Sequence, residues 1–241
     1  MLRYLFICGC FCMTLGICPQ APAAVYYIKE DVAGAISHYS VKEKDTLYDV
    51  ARRFDLGILE LLDANPGIDI SSPLEGTRLV IPTLYTLPPI RDGIVINLSQ
   101  LRLYFFDGTH RVYTFPVGVG KDGWLTPQGE TKIVRKKKGP SWTPPESIRK
   151  EDPTLPAVIP PGPNNPLGRY ALYLGFPGYA LHGTNRPSSI GKRVSHGCIR
   201  LYPEDIKVLF ELVNPGTPVV ILDNAAILGQ NNPAAVIAAT Q

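Results

Sequence analysis

One cysteine with two histidines close to it in sequence is the feature of this 241-residue chain that could carry covalent chemistry. His182 is followed by Gly183, and the run Ser195-His196-Gly197-Cys198 begins 13 residues after His182. A free thiol is only a few per cent thiolate at neutral pH. Nucleophilic attack therefore needs an imidazole that takes the thiol proton and later returns it to the leaving amine. The residue types and their spacing predict acyl transfer at Cys198.

The spacing alone leaves the identity of the base open. His196 is two residues from Cys198, and residues i and i+2 of an extended strand share a face. His182 would reach the thiol only if the chain folded back. One alternative makes His196 a core histidine and Cys198 a buried, inert residue, and another makes His182, His196 and Cys198 zinc ligands. Their spacing fits no standard zinc pattern, and we expect neither a metal nor a cofactor.

Composition restricts the class of protein. The chain is 45% hydrophobic and 19% charged, which is ordinary for a globular protein and excludes disorder along its whole length. Its 24 Lys and Arg against 21 Asp and Glu give a formal charge of +3. This charge is too small and too evenly spread to indicate a nucleic-acid partner.

Residues 1–23 have the pattern of a secretory signal peptide. Arg3 is the only charge, an apolar run extends from Tyr4 to Cys18, and small residues precede Ala24. The alternative is lipidation at Cys18, for which Ile17 is large at the position before the cysteine. Four of the five cysteines lie in this leader, so the exported chain keeps only Cys198 and can form no internal disulfide.

Residues 38–83 predict a small strand–helix–helix–strand module, preceded by a linker over 25–38. Asp45 is the expected N-cap of a helix with apolar residues at i, i+3, i+4 and i+7. The module resembles a LysM domain through Tyr39-x-Val41, Asp45-Thr46-Leu47, Ala51-Arg52-Arg53-Phe54, Asn65-Pro66 and Leu79-Val80-Ile81-Pro82. That resemblance implies binding of N-acetylglucosamine-containing glycans such as peptidoglycan. The alternative is a degenerate module that only packs against its neighbour.

Residues 92–223 read as a second, mostly β domain. Short apolar runs separated by turn residues, with Asp107-Gly108 as a hairpin signal, predict a β-sandwich or barrel. A helix is expected from Pro203. The Pro-rich insertion 139–168 cannot be a central strand. We interpret it as an ordered excursion over a site rather than a disordered linker, and residues 224–241 as a loose tail.

The run LHGTNRPSSIGKRVSHGCIRLYPEDI resembles the His-Gly…Ser-His-Gly-Cys signature of the L,D-transpeptidase family (YkuD-type, ErfK/YbiS-like). The resemblance covers about residues 92–223, including Thr126-Pro127-x-Gly129 and Asn165-Pro166-Leu167-Gly168. A LysM-like module before such a domain is similar to exported transpeptidases of Gram-negative bacteria. Some of these attach an outer-membrane lipoprotein to peptidoglycan. The implied fold is a mostly β catalytic domain with a small α+β module, and the implied location is the periplasm.

The resemblance also implies a role for each residue of the motif. Cys198 matches the nucleophile and His182 the general base, with the carbonyl of Gly183 orienting the imidazole. The motif positions that shape the nucleophile loop are Ser195 and His196, and the expected oxyanion donors are the N–H groups of Gly197 and Cys198.

Arg200, two residues after the cysteine, departs from the commonest family pattern. Many members carry Asn there, whereas members of the lipoprotein-linking type often carry Arg. A guanidinium at this position is suited to holding a stem-peptide carboxylate. The alternative is a surface salt bridge.

The implied reaction is attack of Cys198 on the carbonyl of diaminopimelate at position three of a tetrapeptide stem, with loss of the terminal D-alanine. An amine then resolves the thioester. It is either a second stem's diaminopimelate, which gives a 3–3 cross-link, or a lysine at the end of a lipoprotein. Carbapenems are expected to trap the thiol. The competing functions are a hydrolase or L,D-carboxypeptidase using the same thioester, and a non-catalytic cell-wall-binding protein.

Overall fold

The computed structural model describes residues 24–28, 31–71 and 75–223. The predictions of a signal peptide over 1–23, of lipidation at Cys18 and of a tail over 224–241 lie outside these residues. Across the described ranges, no helix has the length and apolar character needed to cross a membrane. The strands are β1 (Ala24–Tyr27), β2 (Val32–Ser40), β3 (Arg78–Thr86), β4 (Gly93–Asn97), β5 (Arg102–Phe106), β6 (Arg111–Pro116), β7 (Val119–Gly120), β8 (Gly129–Lys138), β9 (Tyr170–Leu174), β10 (Ala180–His182), β11 (Arg193–Ser195), β12 (Ile199–Arg200) and β13 (Pro218–Leu222). The helices are α1 (Leu47–Arg53), α2 (Ile58–Asp63), α3 (Glu146–Glu151) and α4 (Pro203–Leu212), with a 3-10 turn at Pro187–Ser189.

A nine-stranded sheet forms the frame of the second domain. Its strand order is β1-β6-β5-β4-β13-β8-β9-β10-β12, and all neighbours are antiparallel except β4 with β13 and β10 with β12. The sheet curls around one apolar core, onto which α4 packs through Ile206 and Leu209. The predicted mostly β architecture is therefore confirmed, as is the hairpin at Asp107-Gly108 between β5 and β6.

The first module consists of the β2–β3 ribbon with α1 and α2 packed on it. Its separate core is formed by Val41, Leu47, Val50, Ala51, Leu56, Ile58, Leu61, Leu79 and Ile81. The expected N-cap was wrong by one residue: Thr46 caps α1, and its Oγ1 accepts the Asp49 N–H at 3.1 Å. The Asp45 carboxylate instead accepts a hydrogen bond from the Tyr39 hydroxyl at 2.7 Å.

The linker expected over residues 25–38 was also wrong. β1 adds to the edge of the large sheet beside β6, and β2 pairs with β3 over nine residues. Most of β2 is exposed, so its sequence lacks the apolar alternation that marks a half-buried strand. Its structure comes from pairing with β3, which begins 38 residues after β2 ends, and local sequence pattern does not report such a distant partner.

Polar contacts fix the first module against the second domain. Arg52 in α1 makes a two-point contact with Glu204 in α4, with N–O distances of 2.6 and 2.7 Å. Arg102 in β5 is almost fully buried, and it donates to the Asp55 carbonyl oxygen at 2.9 Å and to the Glu60 carboxylate at 2.7 Å. A buried cation is tolerated only with such partners. Because the partners of Arg102 belong to the first module, the module and the sheet pack as one unit.

Candidate active site

Strand pairing places His182 on the same face as Cys198. β10 runs parallel to β12, with Leu181 opposite Ile199 and His182 opposite Arg200. One residue earlier, this register places Ala180 beside Cys198, and the thiol receives a backbone hydrogen bond from Ala180. Side chains alternate between the faces of a strand, so His182, Cys198 and Arg200 share one face. The chain therefore folds back between His182 and Cys198, as it must if His182 is to act on the thiol.

The extended geometry that would bring His196 to Cys198 is not present. Gly197 has φ +100°, a backbone conformation that interrupts the alternation, and a Cβ there would lie 2.7 Å from a ring carbon of Tyr179. His196 points instead to Glu151, with 3.0 Å between Nε2 and Oε2, and its ring meets the Trp124 ring edge-on. Among the described residues, no group of three or more side chains is arranged to bind a metal ion.

The His182 imidazole is held in one tautomer by the backbone. Its Nδ1 lies 2.5 Å from the Gly183 carbonyl oxygen, which can only accept, so Nδ1 carries the proton and Nε2 presents a lone pair. The pKa of His182 is lowered to about 4, mainly by burial; the Gly183 hydrogen bond opposes this shift and the Arg200 charge adds to it. The ring is therefore a neutral base at neutral pH.

The Cys198 thiol is also neutral at rest. Burial raises its pKa, while the hydrogen bond from Ala180 and the charge of Arg200 act in the opposite direction. The thiol donates weakly to the Gly178 carbonyl oxygen at 3.7 Å. Within the described ranges it makes no hydrogen bond to His182, so the two groups form no resting ion pair.

Two hydroxyls hold the turn that carries Cys198. The buried Ser195 Oγ donates to the Cys198 carbonyl oxygen at 2.6 Å and accepts the Gly197 N–H at 3.1 Å. Thr126 Oγ1 donates to the Gly197 carbonyl oxygen at 2.9 Å and accepts the Gly120 N–H at 3.0 Å. Both the Gly197 and the Cys198 N–H groups were expected to be oxyanion donors. The Gly197 N–H is already paired with Ser195 Oγ, so the Cys198 N–H is the one that remains.

The Pro-rich segment covers the thiol and encloses a cavity of about 610 Å³. On its catalytic side lie His182, Cys198 and Arg200, and on the other side lie half-buried apolar residues of the segment: Trp142, Ile148, Leu155 and Ile159. The segment is rooted by Asn165, which is fully buried and whose Nδ2 donates to the Pro140 carbonyl oxygen at 2.8 Å.

The cavity is cationic. Its described lining includes Arg135, Arg186 and Arg200 but no Asp or Glu. Burial and the neighbouring charge of Arg186 lower the pKa of Arg200. In the described part of the chain Arg200 forms no ion pair with a carboxylate, so the salt-bridge alternative does not describe this structure. The arrangement suits an anionic ligand.

Glu151 is a residue of this site that sequence reasoning missed. It ends α3, a helix with no buried residue, and its carboxylate accepts from Trp124 Nε1 at 3.1 Å as well as from His196. Lys121 Nζ lies 3.7 Å from the same carboxylate. Glu151 is 45 residues from His196 in sequence, and it belongs to no motif or periodic pattern that would connect the two.

Comparison with known proteins identifies the two parts of the chain. Residues 91–221 match the family of L,D-transpeptidase catalytic domains (YkuD), and residues 39–82 match the LysM domain family. A protein named "Probable L,D-transpeptidase YbiS" from Escherichia coli (strain K12) is 43% identical over 221 residues, which are 87% of this chain and 72% of that protein. "Probable L,D-transpeptidase ErfK/SrfK" from Salmonella typhimurium (strain LT2) is 47% identical over 180 residues, which are 72% of this chain and 58% of that protein.

A solved structure of an L,D-transpeptidase from Mycobacterium smegmatis aligns with a TM-score of 0.46 at 18% identity. The alignment covers 61% of this chain and 63% of that one. On the sequence matches, the chain belongs to the L,D-transpeptidase family, with a LysM domain ahead of its catalytic domain.

Proposed function

We propose that this protein is a periplasmic enzyme that acts on peptidoglycan tetrapeptide stems through a thioester on Cys198. The observation that carries the proposal is the shared face of His182 and Cys198, with the imidazole fixed so that Nε2 presents its lone pair. A neutral base beside a neutral thiol suits proton transfer during attack. Export is supported by the leader-like residues 1–23.

Acylation begins when the Cys198 sulfur attacks the carbonyl carbon of the third residue of the stem. The S–C bond forms while His182 Nε2 takes the thiol proton, and the developing oxyanion is stabilised by the Cys198 N–H. The tetrahedral intermediate then collapses, and the C–N bond to the terminal D-alanine breaks. The imidazolium gives its proton to the leaving amine, so His182 is neutral again in the thioester.

An amine completes the transfer. His182 takes a proton from the attacking amine, the new C–N bond forms, and the proton returns to the sulfur as the C–S bond breaks. The acceptor is the diaminopimelate side chain of a second stem, which gives a 3–3 cross-link, or the terminal lysine of a lipoprotein. Carbapenems, which present a strained carbonyl, are expected to acylate the same sulfur.

The charge of the cavity supports a peptide substrate with carboxylates. Arg200 lies opposite His182 across the β10–β12 pair, and Arg186 lowers its pKa, so the two cations are close. A carboxylate between them would relieve their mutual repulsion and form charge-assisted hydrogen bonds. The LysM domain is proposed to hold the glycan to which such a stem is attached.

The test uses the mature chain and its Cys198→Ala variant with a disaccharide-tetrapeptide and a lysine-ended lipoprotein peptide. Mass spectrometry of the products should show a joined species only with the wild type, and its mass identifies the acceptor. Tripeptide without a joined product would point to a hydrolase or L,D-carboxypeptidase. No Cys198-dependent product together with retained binding to sacculi would point to a cell-wall-binding protein.

A further inference from the structure

A row of four residues crosses the sheet beneath the cavity and ends at the thiol. Arg135 in β8 is opposite Tyr173 in β9, Tyr173 is opposite Ala180 in β10, and Ala180 is beside Cys198. Directly paired residues project from the same face of a sheet. All four of these residues line the same cavity, so the row forms its floor.

The residues of the row have the shapes that a peptide slot requires. Ala180 is small and leaves room beside the sulfur, and the half-buried Tyr173 offers a flat ring. The Arg135 guanidinium carbon lies 3.9 Å from the centre of that ring, so the cation is stacked over Tyr173. Arg135 is exposed, so stacking favours the position of the guanidinium over the ring while its N–H groups stay available.

Arg135 also has no anionic partner of its own. In the described part of the chain the guanidinium makes no ion pair, and no Asp or Glu is among the residues that line the cavity. The Glu151 carboxylate beside the cavity is already paired with His196, Trp124 and Lys121. An arginine held over an aromatic ring at the edge of an acid-free cavity is a suitable receptor for a ligand carboxylate.

The spacing of the row sets where that carboxylate must be. Neighbouring strands are about 4.8 Å apart, so Tyr173 is two strands, about 10 Å, from Cys198. Because the guanidinium lies over Tyr173, the bound anion would be on the order of 10 Å from the reacting carbonyl. The side-chain carboxylate of the attacked diaminopimelate is six bonds from the reacting carbonyl carbon, about 7.5 Å in an extended chain, which is shorter than this separation.

We propose that Arg135, stacked on Tyr173, is a second carboxylate subsite that reads the residue preceding the attacked one. This inference rests on the proposed function. In a stem of this class the second residue is a glutamate joined through its side-chain carboxyl, so its α-carboxylate is free. That carboxylate is seven bonds from the reacting carbonyl carbon, about 9 Å in an extended chain, which matches the row.

The experiment pairs two tetrapeptide stems that differ in one group, the free α-carboxylate of the second residue or its carboxamide. Binding of each is measured by calorimetry to the Cys198→Ala protein, with and without Arg135→Gln. The control variant is Lys132→Gln, which removes a charge from an exposed position of the same strand outside the cavity lining. Tyr173→Leu removes the stacking ring while keeping Arg135.

The carboxylate stem should bind about 10-fold more tightly than the carboxamide stem, as for a charge-assisted hydrogen bond. Arg135→Gln should reduce this preference to about unity, Tyr173→Leu should weaken it, and Lys132→Gln should leave it unchanged. A preference that survives in Arg135→Gln, equal binding of both stems to the parent, or no binding of either would overturn the subsite.

Turnover of the two stems by the protein with Cys198 intact separates this inference from the proposed function. Charge-selective binding without any Cys198-dependent acylation would refute the proposed function and retain the subsite. Acylation at equal kcat/KM for both stems would refute the subsite and retain the function.

Discussion

The resting protonation state of Cys198 and His182 can be tested directly by the pH dependence of thiol alkylation. Iodoacetamide reacts with the thiolate, and Cys198 is the only cysteine outside residues 1–23. The measurement is the second-order rate constant from pH 5 to pH 10, followed by intact mass. The structure predicts that the rate follows the titration of an isolated, partly buried thiol.

The size of the effect follows from the two pKa values. Burial brings the pKa of His182 to about 4, whereas burial raises the pKa of the thiol above its ordinary value of about 8.5. The proton transfer from thiol to imidazole is then unfavourable by more than about 4 pKa units. At rest, fewer than about one molecule in 10⁴ is the thiolate–imidazolium ion pair.

The rate constant should therefore rise about 10-fold per pH unit through pH 8, without a plateau at lower pH. Arg200→Gln should reduce the rate at a given pH, because the Arg200 charge favours the thiolate. Arg78→Gln, a change at an exposed position in β3, serves as the control and should match the wild type. A plateau with an inflection between pH 4 and pH 7 would show a resting ion pair and refute the reasoning.

Three further expectations concern His182, the insertion and the interface between domains. The folded pKa of His182 is lowered while its unfolded value is about 6.5, so the stability that this group contributes is fully present above pH 6.5 and is lost as pH falls towards 4. Between pH 7 and pH 5 the wild type should lose about 2 kcal/mol more unfolding free energy than His182→Gln, measured by urea unfolding. Parallel losses in the two proteins would contradict this. Glu151→Ala removes the contact of α3 with His196 and Trp124, so it should increase the rate at which iodoacetamide alkylates Cys198 severalfold. Glu146→Ala, which loses only an exposed contact with Lys150, should leave that rate unchanged. Equal rates in the two variants would argue that the Glu151 contact does not close the cavity. Arg102→Met leaves the Glu60 carboxylate unpaired at the interface and should lower the free energy of unfolding by about 3 kcal/mol. Arg111→Gln, which removes an exposed pair, should lower it far less, and similar losses for both variants would be inconsistent with a buried pair.

Local sequence pattern predicted the parts of the fold whose information is local. The apolar spacing of residues 47–54 and the proline at the start of α4 are sufficient for helices, and Asp107-Gly108 is sufficient for a hairpin. The order of residues around Cys198 likewise indicated the chemistry, since a thiol with nearby imidazoles has few other uses. These features depend on residues within one turn or one strand of each other.

Strands with no local signal could not be predicted in this way. β1 and β2 occupy the region expected to be a linker because each is stabilised by a distant partner, β6 and β3. The four residues of β1 are too few and too uniformly apolar to show an alternation in sequence, and most of β2 is exposed. Pairing energy of this kind depends on the neighbour and not on the strand itself.

Which residues meet in the site was likewise determined by the tertiary structure. Sequence identified Cys198 and two candidate bases, but the parallel pairing of β10 with β12 places His182 on the face of the thiol. The left-handed conformation of Gly197 turns His196 away to Glu151. The row from Arg135 to Cys198 exists only because four strands, separated by up to 31 residues of chain, are adjacent in one sheet. Sequence thus determined which chemical groups are available, whereas long-range strand register decided which of them meet, because register is set by packing across the whole sheet.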